Sequence, residues 1–198
     1  MPNGQPSPER AIIESMFRIP NKQGEPVDFK LNAVQARLDT ELTGRDIIPK
    51  ARQLGISTYY LARFTALCMT RKNFRAVVIS HEEGATKRLL RRAKFIIENL
   101  RSPSDDIELV LETDRLSQAE INFKETGSWF YIGTAGARAF ARGDTLNAIH
   151  CSELAFWVDA EHLLSGLIGS MPDGGEIGIE STGKGVGNSF HRRYVSAL

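Results

Sequence analysis

From Phe29 onward, short apolar runs alternate with stretches in which apolar residues return every three or four positions. Asp46-Ile47-Ile48-Pro49 reads as the end of a buried strand, and Arg75 to Ser80 as a strand by its β-branched content. Between them, Leu61, Phe64, Leu67 and Cys68 keep helical spacing. The same spacing predicts a helix from Glu83 to Leu100, with Leu89, Leu90, Ala93, Ile96, Ile97 and Leu100 on its apolar side. Pro103 and Asp105-Asp106 mark a turn, followed by a short strand over Ile107 to Leu111. Ala119 to Phe123 and Trp129 to Ile132 form a hairpin pattern around Glu125-Thr126-Gly127, and Leu146 to Cys151 and Glu176 to Glu180 are two more apolar strands. Strands separated by helices imply an α/β fold with a mainly parallel central sheet flanked by helices, and the hairpin adds an antiparallel edge. Residues 1–28 form a polar arm with one amphipathic piece, Ala11 to Phe17, and residues 29–198 read as one domain.

Composition narrows the class. The chain has 198 residues, 41% hydrophobic and 25% charged, with a formal net charge of +1. That is a soluble globular composition with no apolar run near the roughly 20 residues that span a bilayer. The polar, Pro-rich start, Met1 to Glu9, carries neither signal peptide nor membrane anchor. Cys68 and Cys151 sit in apolar surroundings and read as buried, reduced thiols of a cytosolic protein. Two cysteines are too few for a structural zinc site, and His81, His150, His162 and His191 lack ligand spacing.

The chemistry concentrates in Lys50-Ala51-Arg52-Gln53-Leu54-Gly55-Ile56-Ser57-Thr58. Against the spacing G-x-x-x-x-G-K-[ST] of a phosphate-binding loop, Gly55 is the second glycine and Ser57 the magnesium hydroxyl. Ile56 stands where the lysine belongs and Lys50 where the first glycine belongs, so the cation is moved and not abolished, with Arg52 beside it. A strand, a tight loop and a helix in that order turn backbone N–H groups toward an anion. An ordinary strand-to-helix turn with surface cations accounts for the same residues.

Two further strand ends carry polar groups. Leu146 to Cys151 runs into Ser152-Glu153, where a carboxylate can activate water and a neighbouring hydroxyl help hold magnesium through water. A helix-capping serine followed by a first-turn acid is the plain alternative. Ile177 to Glu180 runs into Ser181-Thr182 and a turn containing Gly183, Gly185 and Gly187, placing hydroxyls where a γ-phosphate can be sensed. A Gly- and Ser-rich turn is the alternative there. Lys87, Arg88, Arg91, Arg92 and Lys94 form a basic stripe that either touches nucleic-acid phosphates or is a solvated face balanced by Glu82, Glu83 and Glu98.

Taken in order, these blocks resemble the ATPase domain of the large terminase subunit, the DNA-packaging motor of tailed bacteriophages. Phe29 to Gln35 resembles its adenine-contacting Q motif, and Arg52 to Thr58 its phosphate loop. Gly133 to Gly136 with Arg142-Gly143 resembles the block before its acidic strand. His150 to Ala155 is similar to its Walker B segment, and Glu180-Ser181-Thr182 with Gly185 and Gly187 to Phe190 to its coupling motif. The resemblance runs from about Phe29 to Phe190 and implies a P-loop NTPase of the additional-strand type.

It implies ATP and Mg2+ as cofactors. Gln35, Lys50, Arg52, Gln53, Leu54, Gly55, Ile56, Ser57 and Thr58 would bind ATP, and Ser57 and Ser152 would serve the metal. Glu153 would be the water-activating base, Arg52 would contact the γ-phosphate in cis, and Arg142, preferred to Arg138, would act in trans. Ser181 and Thr182 would couple hydrolysis to DNA movement. The partners implied are double-stranded DNA, the portal protein, the small terminase subunit and further copies in a ring on the procapsid. The isolated chain would be a monomer, without a membrane, in the host cell cytoplasm. One departure stands out: most P-loop enzymes place an acid before the catalytic glutamate, and here Ser152 holds that place. The terminase nuclease domain is expected to be absent from this chain. A helicase-like DNA-dependent ATPase and a nucleotide- or DNA-binding module without catalysis are the alternatives.

Overall fold

The periodicities resolve into elements whose ends are set by identifiable caps. In the computed structural model, residues 4–101, 113–116, 120–136 and 145–198 are described, with 113–116 as backbone only. The expected strand over Ile107 to Leu111, and Arg138 and Arg142, lie outside the described residues. Helix α1 (Pro8–Met16) opens with Ser7 accepting from the Arg10 amide, and a small antiparallel hairpin of β1 (Arg18–Pro20) and β2 (Pro26–Asp28) follows. Helix α2 (Ala33–Glu41) carries a capping box. Asn32 accepts from the amides of Val34 and Gln35, and the Gln35 side chain accepts from the Asn32 amide.

Next come β3 (Arg45–Pro49), α3 (Ile56–Thr70), β4 (Arg75–Ser80), α4 (Glu83–Glu98) and β5 (Thr113–Leu116). After them run β6 (Glu120–Phe123), β7 (Ser128–Thr134), β8 (Ala148–Ser152), α5 (Ala160–Gly169), β9 (Glu176–Ser181) and α6 (Ser189–Ser196). The α4 pattern ends at Glu98 rather than Leu100, and β8 runs one residue further than expected, to Ser152.

Among the described residues seven strands form one sheet in the order β3-β9-β8-β4-β7-β6-β5. The strands from β3 to β7 in that order are mutually parallel, and β6 turns back antiparallel on β7 as the hairpin pattern predicts. Strand β9 lies between β3 and β8, inserted between two strands that precede it in the sequence. Both faces are covered, so β4 reads as an unbroken apolar run. Ala76 and Val78 pack with Leu61, Phe64 and Leu67 of α3 and Leu90 of α4. Val77 and Ile79 pack on the other face with Leu164 and Leu167 of α5 and Phe190 of α6. The first helix is seated too, since Ile13 and Phe17 are buried with Ala62, Ala66 and Ile96. Among the described residues no helix is long and apolar enough to cross a membrane.

Candidate functional site

The parallel topology puts the ends of β3, β9, β8 and β4 on one edge, where ligands of open α/β sheets bind. The loop from Lys50 to Gly55 leaves β3 there and enters α3 through Gly55, whose backbone is left-handed at φ +78°. Glycine is required on two counts, because a Cβ at this position would also stand 2.6 Å from Gln35 Nε2. Gln35 donates to the Gly55 carbonyl at 2.8 Å and is buried, so its amide ties α2 to the loop. Among the described residues, the backbone N–H groups of Gln53 to Ser57 donate to no other backbone group. Such a row of open donors at a helix N-terminus is an anion-binding arrangement.

A cavity of about 310 Å³ faces these amides. Of the expected site residues, Lys50, Gln53, Leu54, Gly55, Ile56, Ser57, Thr58, Ser152 and Glu153 line it. Gln35, Ser181 and Thr182 stand behind its wall, and Arg52 is exposed on the loop's turn outside the lining. Arg142 lies outside the described residues.

Lys50 is where the displaced charge shows itself. Its side chain folds inward, 9% exposed, with Nζ 2.7 Å from Glu153 Oε1 and 3.0 Å from Glu180 Oε2. The other oxygen of Glu153 accepts from the Thr182 amide at 2.9 Å and from Thr182 Oγ1 at 2.8 Å. Ser181 Oγ accepts from the Ala155 amide at 3.2 Å, joining the β9 end to the turn after Glu153. Glu153 itself has a left-handed backbone, φ 57°, which turns it out of β8. Burial pushes its carboxyl up, but the hydrogen bonds from Lys50 and Thr182 outweigh burial and hold it below the usual carboxylate range.

Residues absent from the expected set complete the site. Glu180, fully buried, accepts from Ser57 Oγ and from Ser152 Oγ, both at 2.8 Å to Oε1. It shares one face of β9 with Glu176 and Gly178, the face toward α3, and an acid at such a position in an apolar strand was the signal available in the sequence. His150 is buried with Nε2 3.6 Å from the same Glu180 oxygen, and its ring stacks on Tyr60 with centroids 4.3 Å apart. Burial and the Lys50 charge push its imidazole down to about 3, so it is neutral at physiological pH. Ser80, 1% exposed and with a hydroxyl that has no hydrogen-bond partner among the described residues, lines the cavity at the β4 end. Arg88 and Arg92 line it from α4, and Arg92 Nη1 reaches Thr58 Oγ1 at 3.4 Å.

No protein-family model and no curated protein matches the chain. Among solved structures it is similar to the large terminase of bacteriophage HK97, with a TM-score of 0.65 and 13% identity over 92% of this chain and 38% of that one. It is similar to the large terminase ATPase domain of Thermus phage P74-26, with a TM-score of 0.59 and 22% identity over 83% and 69% of the two chains. A further large terminase, from another thermophilic bacteriophage, gives a TM-score of 0.59 and 16% identity over 83% and 41%. The chain thus spans well under half the length of the first and third of these proteins. It has the fold of large terminase ATPase domains.

Proposed function

We propose that this chain is the ATP-hydrolysing motor domain of a viral large terminase, driving double-stranded DNA into a procapsid. The observation that carries the reading is the convergence of Lys50, Glu153 and Thr182 beside a cavity walled by open loop amides. The loop amides bind phosphate oxygens, and Lys50 supplies the charge that Ile56 lacks. Serine hydroxyl oxygens at the cavity wall fit Mg2+, a hard cation that keeps several waters and takes few protein ligands. Ser57 and Ser152 would hold the ion, whose charge would offset that of the phosphates.

Glu153 is the base. It is a carboxylate, and the hydrogen bonds from Lys50 and Thr182 that hold its pKa down restrain its basicity in the resting arrangement. In the resting arrangement one of its oxygens is occupied by Lys50. An arriving triphosphate competes for that ammonium and releases the oxygen, while Thr182 keeps hold of the other. The Ser181-Thr182 segment therefore senses the position of Glu153 directly, which is how hydrolysis would couple to DNA movement. Arg52 reaches the γ-phosphate from the exposed turn, and Arg142 of a neighbouring copy completes the site in a ring. That ring, with the portal protein and the small terminase subunit, docks on the procapsid in the host cytoplasm.

Glu153→Gln tests the assignment, because it keeps the side chain's shape and one accepting oxygen, which can stay on Thr182, but removes the base. Phosphate release in the presence of DNA should fall about 10²–10⁴-fold, with ATP binding retained. Wild-type turnover in this variant overturns the reading.

A further inference from the structure

We propose that Glu180 supplies, from β9, the metal-organising carboxylate that P-loop enzymes of this type take from the residue before the catalytic glutamate. It acts through the hydroxyls of Ser57 and Ser152 and is a positioning residue. The inference rests on the reading of the 50–58 loop as a nucleotide site.

Register comes first. Ser152, which holds the place of the missing acid, is paired with Glu180 on the adjacent parallel strand. A carboxylate lost from the end of β8 is thus restored one strand over. Glu180 carries the side chain that reaches Ser57 Oγ and Ser152 Oγ, each at 2.8 Å.

Proton counting comes second. A serine hydroxyl has one hydrogen, and a carboxylate accepts only. Ser57 and Ser152 each give their hydrogen to Glu180 Oε1, so their lone pairs remain for another partner. Both serines line the cavity, whereas Glu180 lies wholly beneath them. The cavity therefore presents two hydroxyl oxygens, made more electron-rich by charge-assisted hydrogen bonds, and no hydrogens from those groups. That set repels an anion and attracts a hard divalent cation. The other Glu180 oxygen lies 3.0 Å from Lys50 as an ion pair without a hydrogen bond, and the ammonium itself is held by its hydrogen bond to Glu153, so the loss of Glu180 acts first on the two hydroxyls. Outer-shell carboxylates of this kind tune affinity through the groups they orient.

The test is nucleotide binding by the full chain, measured by calorimetry with ATP in excess Mg2+ and in excess EDTA. The wild type should bind more tightly with Mg2+. Glu180→Gln should reduce that Mg2+ enhancement about tenfold while leaving metal-free affinity within about twofold. Ser57→Ala should give the same loss, and the Glu180→Gln, Ser57→Ala double variant no additional loss, because the two act as one unit. Ser152→Ala, at the cavity wall, provides a milder variant with a smaller loss of the same kind should Glu180→Gln fold poorly. An intact Mg2+ enhancement in these variants, or an equal drop in both conditions, overturns the role of Glu180 alone. A wild-type chain that binds no nucleotide in either condition overturns the site reading as well.

Discussion

Helix α3 and strand β9 meet along three rungs, and the two outer rungs have opposite fates. At one end Ser57 donates to Glu180 beside the cavity. At the other end Arg63 lies between Glu9 and Glu176, at 2.9 and 3.0 Å, closed over by the arm that carries α1. Tyr60 occupies the middle rung against Gly178, where a Cβ would stand 2.1 Å from the tyrosine oxygen. Parity explains the alignment: Glu176, Gly178 and Glu180 share one face of β9, and Ser57, Tyr60 and Arg63 recur every third residue of α3. Both ends bury carboxylates against cations, yet only the Glu180 end leaves polar oxygens facing an open space. Buried charge is therefore no signal of function by itself. The signal is a buried charge whose hydrogen-bonded neighbours look outward.

The largest effect expected is at the closed end. Burial opposes the Arg63 charge, but Glu176, Tyr59 and Glu9 outweigh it and hold the guanidinium protonated. Replacing Arg63 by Met leaves the half-buried Glu176 without its cation and the buried Glu9 with only the exposed Arg71 at 3.4 Å, which costs about 3 kcal/mol, the low end for a broken buried pair. The urea midpoint should fall accordingly. The same variant, where still folded, should keep its Mg2+ enhancement of ATP binding, because nothing at this end reaches the cavity. A loss of under about 1 kcal/mol, the worth of an exposed pair, would show that the arm is not anchored through these residues.

The middle rung yields a pH-dependent test. His150 stacks on Tyr60, and its folded-state imidazole titrates near 3 against 6.5 in the ordinary state. Below 6.5 the unfolded chain takes up a proton that the folded chain refuses, so this histidine makes stability fall as pH falls from 6.5 toward 3. The slope is about 1.4 kcal/mol per pH unit. His150→Gln is destabilised at pH 7 by lost stacking, but between pH 7 and pH 5 it should lose about 2 kcal/mol less than the wild type. Denaturation curves at the two pH values measure this difference directly. Equal losses would mean that His150 does not carry the acid sensitivity of the core.

Most of the fold was legible because it rests on local periodicity: β4 spans Arg75–Ser80 as its β-branched run predicts, and the hairpin falls around Gly127. The turn from β3 into α3 was legible because Gly55 falls where a left-handed residue opens the helix. Glu180 was not, because its importance depends on the register of β9 against β8, and register is a tertiary fact. Gln35 has both polar ends engaged by Asn32 and Gly55, a cap and a tether that spacing along the chain does not reveal. The basic stripe of α4 was legible as charge but not as direction. Ala85, Arg88, Leu89 and Arg92 share the helix side that faces the cavity.

That direction sets the smallest effect, and it marks how far the open end of the α3–β9 seam extends. Arg92 reaches across to Thr58, next to Ser57, from the wall opposite the loop. Its guanidinium is exposed, so its pull on phosphate oxygens is worth under about 1 kcal/mol. Arg92→Ala should weaken ATP binding about threefold at low ionic strength, and the difference should shrink as salt is raised. Arg91 lines a separate depression with Tyr131 and Ile132, so Arg91→Ala removes the same charge from the wrong direction. If the two variants weaken ATP binding equally, only the net charge of α4 matters and the nucleotide site ends at the loop. If Arg92→Ala alone does so, the site has a second basic wall, and the open end is a cleft between α3 and α4.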